Sequence, residues 1–121
     1  MLRVDTNNEI YLTRGDTAYI KPILKVEDEE KCNKYDPYEF QEGDTIIFRL
    51  ANNNSDILIE KNCVIDLENN KATLTLLPSD TENLDPKVYF YCFELVTAME
   101  DHFTFVENAR FTLGKELEKR E

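Results

Sequence analysis

LLPSDTENLDPKVYFYCFELV, running from Leu76 to Val96, is the stretch on which the reading of the fold turns. Its first half is a polar turn segment between Pro78 and Pro86, and its second half is the most apolar run in the chain. Successive side chains of a strand point to opposite faces. Tyr89, Tyr91, Phe93 and Leu95 therefore share one face, and Val88, Phe90, Cys92, Glu94 and Val96 the other. A strand this apolar on both sides needs cover on both, which places it in the middle of a β structure.

On the N-terminal side, Glu9 to Thr13 is a short strand with Ile10 and Leu12 inward, closed by a turn at Arg14-Gly15-Asp16. Thr17 to Val26 alternates cleanly, with Ala18, Ile20, Pro22, Leu24 and Val26 on one face. Pro22 has no backbone N–H to give a ladder, so this strand lies at an edge or bulges there. The acidic run Glu27 to Glu30 opens a polar loop, from which Tyr38 and Phe40 return to the core. A Gly43-Asp44 turn leads into Thr45 to Ala51, where Ile46, Phe48 and Leu50 share a face. NNNSD (Asn52 to Asp56) and ENNK (Glu68 to Lys71) are turn compositions that separate further short strands. Pro78 to Leu84 is the one helical piece, capped by Ser79 or Asp80 and cut short by Pro86. Beyond the central strand, Ala98 to His102 reads as a turn. Phe103, Phe105, Ala109, Phe111 and Leu113 then continue on one phase, with a kink at Asn108.

Short strands with turn signals roughly every ten residues predict an all-β fold. The expected form is an antiparallel immunoglobulin-like β-sandwich of about 7–9 strands, with one short helical turn near 79–84. A jelly roll or small closed barrel is the alternative. The 121 residues are expected to form a single domain, 1–121, with 1–7 and 115–121 as loosely ordered ends.

Charge narrows the partners. With 25 acidic and 14 basic side chains the chain carries −11 and lacks the basic stripe of a nucleic-acid binder. Nucleic acid and anionic membrane are therefore not expected partners, and a neighbour with a basic face is. No N-terminal apolar run has signal-peptide length, so cytoplasmic synthesis is expected. The three cysteines, Cys32, Cys63 and Cys92, include no CxxC pair, and His102 is the single histidine, so no metal or cofactor is expected. Reduced thiols are the favoured reading, with a Cys63–Cys92 bridge as the alternative.

Catalytic constellations are thin. A Cys–His pairing would have to use His102, which reads as an exposed turn residue. The 25 acids single out no carboxylate pair, and Asp28-Glu29-Glu30 lacks the spacing and glycine of a calcium loop. No enzymatic activity is expected. Arg14-Gly15-Asp16 matches an adhesion tripeptide, yet a Gly-Asp turn between strands accounts for it. Six tyrosines are many for this length; most suit sheet edges and core boundary. Tyr35 and Tyr38 are the pair expected to be exposed and to bind.

Four segments together carry a resemblance: Leu12 to Thr17 (LTRGDT), Glu42 to Phe48 (EGDTIIF), Leu77 to Leu84 (LPSDTENL) and Tyr89 to Leu95 (YFYCFEL). Their order and spacing resemble the small immunoglobulin-like domains of tail and baseplate proteins in phages and prophages of Gram-positive bacteria. The N-terminal domain of the baseplate upper protein is similar. The resemblance spans roughly residues 9 to 113, and departs where Asp85-Pro86-Lys87 replaces a glycine before the tyrosine-rich strand. It implies a non-enzymatic structural component of a tail or baseplate, part of the virion once assembled. Its implied partners are other tail or baseplate proteins and copies of itself. A stand-alone carbohydrate- or peptide-binding module is the alternative function.

Overall fold

The computed structural model describes residues 2–4, 9–27 and 35–115, with the backbone alone given at 2–4, 25–27, 35–37 and 107–108. The strands are β1 (Leu2–Val4), β2 (Ile10–Thr13), β3 (Ala18–Ile20), β4 (Lys25–Glu27), β5 (Tyr35–Pro37), β6 (Thr45–Ala51), β7 (Ile57–Asn62), β8 (Val64–Asp66), β9 (Lys71–Leu76), β10 (Val88–Val96) and β11 (His102–Gly114). A single helical turn, α1, spans Pro78–Thr81. A six-stranded sheet runs β1-β2-β11-β10-β6-β7, a three-stranded sheet β3-β9-β8, and β4 pairs with β5 alone. The chain is an all-β sandwich.

β10 lies between β11 and β6, in the middle of the large sheet as expected, but only one of its faces is covered; the phase of Phe90, Cys92, Glu94 and Val96 stays part-exposed. Tyr89, Tyr91, Phe93 and Leu95 are buried, and Val88 on the opposite phase is exposed. The inward phases of β6 (Ile46, Phe48, Leu50) and β9 (Ala72, Leu74, Leu76) meet them in one core that joins both sheets. Phe48 is its centre, with ring centroids 5.3 Å from Phe93, 5.8 Å from Tyr91 and 6.4 Å from Phe111. Offset and tilted aromatic contacts at these separations add to the stabilisation from area burial.

The structure differs from the sequence reading in several places. Leu2–Val4, expected within a loose arm, pairs with β2 in the register Leu2↔Leu12, Arg3↔Tyr11, Val4↔Ile10. The sheet is not purely antiparallel, since β2 runs parallel to the end of β11 (Phe111↔Ile10 to Gly114↔Thr13). The alternating run 17–26 is two strands, β3 and β4, because pairing with β9 stops at Ile20, two residues before Pro22. The helical turn starts at Pro78 and ends at Thr81. β11 carries two register shifts opposite Tyr91–Glu94. Ala109 pairs with Tyr91 and Val106 with Phe93, three residues against two, so one residue of β11 bulges out there. The two one-residue shifts together restore the phase, so Phe103 and Phe111 both oppose inward residues of β10, Leu95 and Tyr89; Phe111 is buried, and Phe103, next to the start of β11, is exposed. The acidic residues 28–30, Cys32 and the tail 116–121 lie outside the described residues.

Gly43 shows why a glycine opens β6. Its φ is +94°, and a Cβ there would stand 2.6 Å from the Ala98 Cβ in the turn between β10 and β11. Gly43→Ala therefore combines left-handed backbone strain with a clash. It is expected to lower the unfolding free energy by about 1–3 kcal/mol in urea titration, with an unchanged m-value.

Candidate functional site

The corner between β9 and β10 is built from polar ties. Asp80 Oδ2 accepts the Leu77 N–H at 2.7 Å, closing the first turn of α1, and also the Lys61 ammonium at 2.7 Å. Lys61 Nζ donates to Thr75 O as well, at 2.9 Å, so one side chain of β7 ties the large sheet to the small one. Thr81, the one buried polar residue among those described, accepts the Gly15 N–H on its hydroxyl at 3.0 Å. Arg14 Nη1 donates to Leu84 O at 3.2 Å. Tyr89 OH donates to Asp85 O at 2.7 Å, and Lys87 sits 5.3 Å over the Tyr89 ring. The Arg14-Gly15-Asp16 turn is thus bound into the corner, and Gly15, at φ +85°, supplies the left-handed residue of that turn.

The second cluster lies on the outer face of the large sheet. Arg49 (β6) donates from Nε to Glu60 Oε2 (β7) at 2.6 Å and from Nη1 to Glu94 Oε1 (β10) at 2.8 Å. Glu94 Oε2 meets His102 Nδ1 (β11) at 3.0 Å. The four side chains form a row across four strands. The hydrogen bond from Arg49, then that from His102, holds the Glu94 carboxyl below its ordinary range. The hydrogen bonds to Glu94 and then to Glu60 hold the Arg49 guanidinium more firmly protonated. His102 is exposed, as expected, but it opens β11 and faces Glu94. The register sets it opposite Val96, four residues along β10 from Cys92. Cys63 belongs to the core and Cys92 to the outer phase of β10; both are free thiols. Burial pushes the Cys63 thiol up to about 12.

Tyr38 is half-buried. Its OH donates to Asp44 Oδ2 at 2.8 Å, and the same oxygen accepts the Gln41 N–H at 2.8 Å. Burial, and then the Asp44 carboxylate, pushes the Tyr38 phenol up to about 12. Tyr38 packs edge-on against Phe40 at 5.5 Å and, with Pro22 and Leu24, borders a cleft of about 270 Å3. Tyr35 falls in β5, but its side chain lies outside the described residues, so the structure places one member of the pair only.

Several contributors were invisible in the sequence. Asn70 clamps the 38–40 segment, accepting the Phe40 N–H on Oδ1 at 2.8 Å and donating Nδ2 to Tyr38 O at 3.0 Å. Nothing local in ENNK marks a contact 30 residues away. Lys61 did leave a trace, since it occupies the inward phase of β7 two residues after buried Ile59. Among the described residues no group of three or more His, Cys, Asp or Glu side chains is placed to hold a metal ion. No helix among them is long and apolar enough to cross a membrane. No protein-family model matches the chain, and no curated protein matches it.

Two substitutions test these clusters. Thr81→Val keeps the volume but removes the acceptor of the part-buried Gly15 N–H, and is expected to cost about 0.5–1.5 kcal/mol, whereas Thr81→Ser retains most of the stability in the same denaturant titration. Glu94 has a depressed folded pKa, so its stabilisation is present above the unfolded value and is lost as pH falls through the folded one. Glu94→Gln should therefore lie below the parent by about 1 kcal/mol at neutral pH. The two thermal unfolding curves should converge as pH is lowered through the acidic range.

Proposed function

We propose that this chain is a non-enzymatic assembly module of a phage or prophage tail or baseplate, acting through protein–protein contacts, and that its sandwich is immunoglobulin-like. The strand order supports the second statement. β3-β9-β8 faces β2-β11-β10-β6-β7, β2 runs parallel to β11, and the tyrosine that opens the central strand bonds back to a carbonyl four residues upstream. These are features of that sandwich type. Motif use supports the first statement. In all four family-like segments the polar residues are engaged in framework: Gly15 with Thr81, Gly43 against Ala98, Asp80 with Leu77 and Lys61, Tyr89 with Asp85.

The observation that carries the contact role is the exposure of large apolar side chains on β7, β8 and the turn after them: Ile57 (56% exposed), Leu58, Val64 (72%) and Leu67. Among the described residues both strands are the edges of their sheets. The charged residues of β7, Glu60 and Lys61, are drawn to Arg49 and Asp80 rather than projecting as guards. The −11 charge biases such contacts toward partners with a basic face.

The cleft beside Tyr38 and Phe40 favours the second reading, a carbohydrate- or peptide-binding module. It is weaker, because the Tyr38 hydroxyl is already taken by Asp44. Light scattering on the purified chain tests the assembly reading. Self-association above the 14.2 kDa monomer is expected, lost in Ile57→Lys/Val64→Lys without loss of fold. A strictly monomeric chain that is also absent from tail particles of its host would sink it.

A further inference from the structure

We draw no further inference here: the strongest candidate, the groove of about 300 Å3 between β3 and β11 lined by Ile10, Ile20, Ile23, Phe93 and Phe105, carries nothing, because residues 5–8, which lead toward Ile10, lie outside the described residues and nothing in the structure shows what covers it.

Discussion

One hydrogen bond carries more of this fold than its size implies: the Gly15 N–H donated to the buried hydroxyl of Thr81, 66 residues away. The amide is part-buried and the hydroxyl wholly so, and a buried hydroxyl left without a partner costs about 1–3 kcal/mol. Here the hydroxyl belongs to the corner that also launches β10. Around it the Leu84 carbonyl takes Arg14, the Asp85 carbonyl takes Tyr89, and Asp80 takes Lys61 from the opposite sheet. The turn after β2, the corner before β10 and the far edge strand β7 are thereby held to one another. With these fixed, the parallel pairing of β2 with β11 and the seating of β10 under the small sheet follow.

Period-two alternation was legible wherever one face of a strand met the core, because burial there admits a single phase. β6, β9 and β10 show it, with each inward residue buried and their neighbours less so. Legibility failed where backbone geometry intervened. Pro22 ends the ladder without disturbing the alternation of the letters around it, so 17–26 looked like one strand. The bulges of β11 shift its phase by a residue at a time, and composition alone does not place them. The functional surface was less legible still. Tyr38 stood out as an aromatic in a polar stretch, yet what occupies its hydroxyl is Asp44, held by the Gly43 turn. The clamp from Asn70 depends on a pairing of distant loops that no local pattern encodes.

The acidity of the chain is likewise distributed by structure. On the outer face of the large sheet, Glu60 and Glu94 are matched by Arg49 and His102 in a row that crosses four strands. Each contact is partly solvated, so each is worth little by itself. Glu94 gains more because Arg49 and His102 both converge on it, and its carboxyl is held below the usual range for that reason. The row fixes the lateral packing of four strands on a face that lacks an apolar cover. It also ties two of the chain's carboxylates, Glu60 and Glu94, to one guanidinium.

The two sides of the sandwich present different edges. At β7 and β8 the backbone edge is open, one register shift at Leu50/Ala51 interrupts it, and apolar side chains lie along it. An edge of that kind presents backbone groups and apolar side chains together. At β3 and β11, Pro22 and two bulges restrict pairing to a short length, but behind that length lies a groove reaching Tyr91 and Phe93. That contrast follows from where the chain places its proline and its bulges.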